Sequence, residues 1–359
     1  MEKNSAAKKT GKLQLQDGTV FTGDVFGFPK STAGEVVFNT GMVGYPETFT
    51  DPSYSGQILT MTYPLIGNYG IPALEKEKSP FHNFESDKAQ LQALIVSEVS
   101  DEYSHWNSEQ SLSSWLYQNE IPALSGIDTR KLTKLLRESG TMLGKIIIND
   151  DVEYYDPDKD DLISKVTIKD VQRIGEGKKK VLLIDCGCKN SIAKSVAERG
   201  VEVIRVPWHY NIDEFEFDGI LFSNGPGNPD MYGELVNKAK KIMEMKKPVL
   251  GICLGHQIIA LAAGMKTEKL KYGHRSQNQP VKETNSNKCF VTSQNHGFYV
   301  VADKLPEGWE AWFENLNDGT NEGLKHKSLP FMSVQFHPEA APGPVDTAFI
   351  FDEFIRMIK

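Results

Sequence analysis

One run in the second half of the chain, Gly251-Ile252-Cys253-Leu254-Gly255-His256-Gln257, has the residue types and spacing of a nucleophile turn. The apolar run Val249–Ile252 leads into it, and a helical pattern over 256–263 leaves it. A thiol in that place stands at a helix N-terminus, which favours thiolate. Glycines two residues before and two after the cysteine permit a turn too sharp for side chains. The Leu254 amide would then point to where an oxyanion forms. A cysteine nucleophile needs a base, and the base needs an orienting acceptor. Gln335-Phe336-His337-Pro338-Glu339 offers both after the apolar run Phe331–Val334, with His337 as base and Glu339 as its holder. Taken singly, the two segments have plainer readings: a packed core cysteine, and a surface histidine beside a helix-starting proline.

Two further segments end apolar runs or sit in polar loops. Ser223-Asn224-Gly225-Pro226-Gly227-Asn228-Pro229 follows 219–222, and its glycines let backbone amides approach a ligand closely. Gln294-Asn295-His296-Gly297-Phe298 reads as a polar loop with a buried histidine rather than a second catalytic one. Cys186 and Cys188 form a C-x-C pair with no companion cluster, so no metal site is expected.

The elements that must position these groups alternate. Apolar runs at 181–184, 201–206, 219–222 and 249–252 are separated by helical stretches up to Gly200 and over 233–246. That rhythm predicts a doubly wound α/β domain over 179–359, with a mostly parallel sheet and ligands at the C-terminal ends of its strands. The first half differs. Runs at 13–16 and 20–25 flank Asp17-Gly18, a hairpin signal, and strands are expected at 35–39, 58–63 and 94–99. Asp128 caps a helix with an apolar stripe of Leu132, Leu135 and Leu136, which Gly140 ends. These predict a smaller, strand-rich α+β domain over 12–150, after a disordered tail over 1–11. The polar stretch 151–178 is expected as the linker.

The chain has 359 residues, a net charge of -8 and no long run of one sign. It therefore lacks the basic face that nucleic acid or an anionic membrane requires. The two long uncharged segments carry prolines or a polar Gly-His-Gln centre, so neither is read as a membrane span. Four cysteines in a chain of this length suggest no disulfide framework and a cytoplasmic setting. Nothing of the form G-x-x-x-x-G-K-[ST] occurs, so ATP chemistry is expected elsewhere.

Together the four segments resemble the class I glutamine amidotransferases, which carry the cysteine turn, the S-N-G-P-G loop and the late H-P-E in this order. The resemblance implies that Cys253 attacks the side-chain amide of L-glutamine, with His337 and Glu339 completing a triad. It implies that Gly225, Gly227, Leu254, Gln257, Asn295, Gly297 and Phe298 bind glutamine or its oxyanion. The first half carries Glu35-Val36-Val37-Phe38-Asn39-Thr40-Gly41, Thr50-Asp51-Pro52-Ser53-Tyr54-Ser55-Gly56 and Gly126-Ile127-Asp128-Thr129-Arg130. This series resembles the N-terminal domain of carbamoyl-phosphate synthase small subunits, and Ser53 matches a position that reaches the glutamine site. The implied partner is a large synthetase subunit holding ATP and Mg2+, with no cofactor in this chain. The product would serve pyrimidine or arginine synthesis. Asn190-Ser191 and Arg275-Ser276-Gln277-Asn278-Gln279 depart from the family pattern. Two other readings remain: an amidotransferase serving anthranilate or GMP synthesis, which the first half argues against, and an inactive docking module, which the intact triad argues against.

Overall fold

The structure is a computed structural model that describes residues 9–73 and 84–358. Most of the expected N-terminal tail lies outside the described residues. Its last two positions, Thr10 and Gly11, begin a strand instead, because Thr10–Leu15 pairs with both Val20–Val25 and Met142–Ile147.

The first half closes into a seven-stranded barrel. Around it run Thr10–Leu15, Met142–Ile147, Thr32–Asn39, Gln57–Met61, Ala93–Ile95, Ala123–Ser125 and Val20–Val25. Asp17-Gly18 turns the first hairpin, with Gly18 at φ 88°. Closure removes the open edges that a short sheet would expose. Leu13, Val36, Ile58 and Ile95 are fully buried in one apolar cluster and Val37, Leu59 and Leu94 in another. Helix Thr129–Ser139 begins where Asp128 accepts from the Lys131 N–H at 2.8 Å, and it buries Leu132 and Leu136 against the barrel.

The second half is built on a ten-stranded sheet. At its centre Glu202–Pro207, Lys180–Asp185, Gly219–Phe222, Val249–Ile252 and Phe331–Val334 lie side by side and parallel. Helices Asn190–Ala197, Gly233–Glu244, Leu254–Ala262 and Phe349–Met357 pack their apolar stripes on it. Beyond Phe331–Val334 the sheet turns antiparallel through Asn321–His326, Cys289–Val301, Lys266–Glu283 and Trp309–Asn315. This extension is absent from the sequence reading. The long strands 266–283 and 289–301 show no clean alternation, because their burial is irregular along each strand.

The stretch expected as a linker, 151–178, is in large part built into the fold. Gln172–Ile174 adds an antiparallel edge strand beside Glu202–Pro207, and Pro157, Leu162 and Ile163 are buried. Its charges mark a solvated face, while these few apolar residues supply the anchoring.

Leu59 is completely buried in the barrel cluster that also holds Phe49, Tyr54 and Leu94. Leu59→Ala is expected to cost about 2–5 kcal/mol of stability, read as a lower urea midpoint with an unchanged m-value.

Candidate active site

All the parallel strands that meet the chemistry end on one side of the sheet. Lys180–Asp185 runs into Cys186-Gly187-Cys188-Lys189, Gly219–Phe222 into Ser223-Asn224-Gly225, Val249–Ile252 into Cys253, and Phe331–Val334 into Gln335-Phe336-His337. This is the crevice where parallel sheets collect ligands.

Cys253 has φ 53° and ψ -104°, a left-handed value that a non-glycine residue adopts only under constraint. The constraint is visible on both sides. The Cys253 N–H donates to Val334 O at 2.9 Å, and the His256 and Gln257 N–H groups donate back to Cys253 O. A Cβ on Gly251 would sit 2.5 Å from Gly255 O, and one on Gly255 would sit 2.2 Å from Phe222 O. The turn therefore excludes side chains at both glycines. The Gly255 N–H donates to Ser223 O, whereas among the described residues the Leu254 N–H has no acceptor. That free donor at a helix N-terminus suits a developing oxyanion.

His337 and Glu339 are buried beside this turn. His337 Nδ1 donates to Glu339 Oε1 at 2.6 Å, since an ionised carboxylate can only accept. The other ring nitrogen, Nε2, has no hydrogen-bond partner among the described residues. Burial works to lower the affinity of His337 for its proton, but the Glu339 charge and the Cys253 thiol outweigh it and raise its pKa above the ordinary histidine value. Burial likewise pushes Glu339 upward, and Lys189 and His337 overcome this and hold its pKa at about 2. Lys189 Nζ lies 3.0 Å from Glu339 Oε1 and donates to Ala340 O at 2.6 Å. The acid thus stays an anion in a dry site because a buried cation stands behind it.

The substrate-binding candidates converge. Ser53, Gly225, Gly227, Gln257, Asn295, Gly297 and Phe298 line one pocket with Cys253. Leu254 is not among the lining residues: its side chain is buried in the core. A Cβ on Gly225 would lie 2.2 Å from Cys186 O, and Gly227 has φ 88°. Gln257 donates to Phe298 O at 2.9 Å and to Gln335 Oε1 at 3.0 Å. Cys253 Sγ lies 3.7 Å from Asn295 O. His337 lines an adjoining cavity that shares Asn295 and also includes Thr48, Asp51, Ser276 and Pro342.

The first half enters the site through its turn Pro52–Tyr54. Ser53 Oγ accepts from Asn224 Nδ2 at 3.0 Å, and Asp51 Oδ2 accepts from Asn295 Nδ2 at 2.8 Å. The departing residues Asn190 and Ser191 also meet this half: Asn190 Nδ2 donates to Phe84 O, and Ser191 Oγ donates to Glu85 Oε2 at 2.6 Å. Glu85 is pushed up to about 7 by burial, against the pull of Lys189. Sequence reasoning did not single out Asp51 or Lys189 as site groups. Asp-Pro-Ser reads as turn chemistry, and a lysine four residues past a strand reads as surface. Only the packing shows both buried.

His296 is a structural histidine. Its Nδ1 bonds with Phe298 O at 2.8 Å and its Nε2 with Gln294 Oε1 at 3.0 Å, and burial lowers its pKa well below the ordinary value. It groups with His274 and Glu322, whose ligand-type atoms all fall within 4.8 Å of one another. His274 is in turn tied to Asp318 at 2.8 Å.

Removing the Glu339 charge takes away the strongest influence that raises the His337 pKa against burial. In Glu339→Gln the His337 ring is expected to titrate at lower pH than in the parent protein. NMR of 13C-labelled histidine checks this, and an unchanged or higher pKa would show that Glu339 does not hold the ring.

Two family models match the chain: "Carbamoyl-phosphate synthase small chain, CPSase domain" over residues 13–146 and "Glutamine amidotransferase class-I" over 182–357. The arginine-specific small chain of carbamoyl phosphate synthase from Debaryomyces hansenii is 45% identical over 364 residues, which are 97% of this chain and 85% of that one. The mitochondrial carbamoyl-phosphate synthase [ammonia] of Mus musculus is 46% identical over 99% of this chain, and the multifunctional protein CAD of Squalus acanthias 49% identical over 97%. The chain spans only 24% and 16% of the lengths of those two relatives. With both halves matched in order, and a small chain of similar length nearly half identical throughout, this chain belongs to the carbamoyl phosphate synthase small chain family.

Proposed function

We propose that this chain hydrolyses L-glutamine and delivers the ammonia to a large synthetase partner for carbamoyl phosphate synthesis. One observation carries the reading: Cys253, held in a strained turn, shares a buried crevice with a His337–Glu339 pair and a pocket lined by both halves of the chain. The Cys253 thiol passes its proton to His337 as the sulfur attacks the side-chain carbonyl carbon of glutamine, and the carbonyl oxygen takes the negative charge against the Leu254 N–H. As the tetrahedral adduct collapses, the carbon–nitrogen bond breaks and His337 gives a proton to the leaving amide nitrogen, so ammonia departs and a thioester remains. His337 then takes a proton from water as that water attacks the thioester; the carbon–sulfur bond breaks to release glutamate, and His337 returns the proton to the Cys253 sulfur. Glu339 keeps the ring oriented through both steps without carrying a proton itself. Gln257, Asn295, Gly297 and Phe298 hold the substrate beside the sulfur, with Ser53 reaching in from the first half.

The partner follows from the chemistry of the product. Ammonia freed into water is protonated and diluted, so coupling needs a covered route. The cavity behind His337, lined by Thr48 and Asp51 from one half and Ser276 and Ser293 from the other, supports an exit separate from the glutamine pocket. The large partner would hold ATP and Mg2+, and this chain itself would hold no cofactor. The free thiols Cys186, Cys188, Cys253 and Cys289 support a reducing, cytoplasmic setting. Among the described residues no helix is long and apolar enough to cross a membrane.

Cys253→Ser is expected to lower glutamine hydrolysis by about a thousandfold or more, because a hydroxyl is far less acidic than a thiol. Glutamine binding, read by calorimetry, and ammonia-supported synthesis by the assembled complex should both survive. Glutaminase turnover retained in this variant would remove Cys253 as nucleophile. A separate test mixes the chain with a purified carbamoyl-phosphate synthase large subunit. A complex in sedimentation and faster glutamine hydrolysis are expected. No complex, together with full hydrolysis by the chain alone, would point to an autonomous glutaminase.

A further inference from the structure

The antiparallel extension buries a cluster that the reaction does not use. His274 and His296 lie directly opposite each other on the two long strands, so their rings rise from one face of the sheet. Glu322 reaches them from Asn321–His326, the strand that pairs with 289–301 at Val300. All three are buried, Glu322 completely. One ligand-type atom from each falls within 4.8 Å of the other two.

The hydrogen bonds around the cluster leave lone pairs on its inner atoms. His274 Nε2 meets Asp318 Oδ2 at 2.8 Å, so that nitrogen carries the proton. Its Nδ1 has only long contacts, 3.5 Å to Glu322 Oε1 and 3.5 Å to Asn315 Nδ2. His296 Nδ1 meets Phe298 O, which can only accept, so Nδ1 carries the proton there. Its Nε2 then faces Gln294 Oε1 at 3.0 Å, acceptor against acceptor. Turning the Gln294 amide over does not help. Its nitrogen donates to Thr292 Oγ1 at 3.1 Å, and that hydroxyl already gives its hydrogen to Gln279 O. Glu322 Oε1 accepts from Asn315 Nδ2 at 2.9 Å, while Oε2 has no hydrogen-bond partner among the described residues. Burial outweighs the pull of His274, Asn315 and Gln294 on the Glu322 carboxyl and holds its pKa above the ordinary value. Two imidazole lone pairs and a carboxylate short of positive charge thus meet in a dry place.

We propose that His274 Nδ1, His296 Nε2 and the Glu322 carboxylate hold a divalent cation of the zinc class. Asp318 behind one ring and Phe298 O behind the other are the partners that ligating histidines use to fix their tautomer and aim the free nitrogen. Two nitrogens and one oxygen suit zinc, whereas magnesium and calcium take oxygen alone. Ligands of a tetrahedral zinc ion stand roughly 3.3 Å apart, so the three groups draw in by about an ångström on binding. A second proton on His274 is the competing occupant. It answers Glu322 Oε1 but leaves His296 Nε2 and Glu322 Oε2 as they stand. The ion takes no part in the glutamine chemistry; it pins strands 266–283, 289–301 and 321–326 to one another.

The test titrates Co2+ into the metal-free full chain carrying Cys253→Ser, which removes the reactive thiol as a rival ligand. One Co2+ per chain is expected, with the visible bands of a nitrogen- and oxygen-bound ion and no thiolate-to-cobalt band. Zn2+ should displace it and Mg2+ should not. Asp318→Asn, which takes away only the carboxylate behind His274, should weaken Co2+ binding about 10-fold to 100-fold. His274→Asn and Glu322→Gln, which remove ligands, should weaken it further. The Asp318 side chain is partly exposed, so its replacement tests the site even where a change at a buried ligand prevents folding. Failure to take up one Co2+ per chain overturns the inference and leaves the proton on His274 as the occupant. A thiolate band, or an affinity unmoved in Asp318→Asn, overturns it as well, because the ion is then held elsewhere.

Discussion

The architecture of the site depends on one unfavourable backbone conformation. Cys253 occupies a left-handed region that costs a non-glycine residue on the order of 1–3 kcal/mol. It persists because the strand before it is clamped between two parallel neighbours, Gly219–Phe222 and Phe331–Val334, and because the helix after it is locked over the sheet by the close approach of Gly255 to Phe222. Relaxing that turn would take the thiol away from the helix N-terminus and the Leu254 N–H out of reach. The glycines at 251 and 255 are thus fixed by contact distances of 2.2–2.5 Å, not by flexibility.

Around the turn the molecule keeps an unusual number of charges dry. Lys189, Glu339 and His337 form a chain in which each member sustains its neighbour's ionisation, and Asp185 with Arg205 forms a second buried pair beside it. Such groups contribute little net stability, since desolvation offsets much of the Coulomb attraction. Their effect is to specify geometry. A carboxylate that accepts from His337 leaves the ring one orientation, and Lys189 leaves that carboxylate one place to stand.

The two halves of the chain are joined at the site itself. The barrel offers the turn Pro52–Tyr54, whose neighbour Asp51 bonds Asn295 and whose Ser53 bonds Asn224. Glu85 meets the start of helix Asn190–Ala197. The loops that line the glutamine pocket are therefore braced by a domain that carries none of the triad. Asn224 and Asn295 cannot shift without breaking bonds to it.

Much of this was legible in one dimension. Short apolar strands alternating with helices define a parallel sheet by period and length alone, and a strained cysteine turn declares itself by its glycines, because only close packing demands them. The helix capped by Asp128 and ended by Gly140 is equally local. The antiparallel extension was hidden, since strands 266–283 and 289–301 carry no regular alternation of apolar and polar residues. So were Lys189 and Asp51. Nothing in a lysine or an aspartate announces burial, and each became a site group only when a partner distant in sequence covered it. The sequence by itself determined the cysteine turn, the late His337-Pro338-Glu339 segment and the sheet that presents them, since those rest on local spacing. The tertiary structure alone decided which charges are dry and what they face, because burial belongs to the assembled fold.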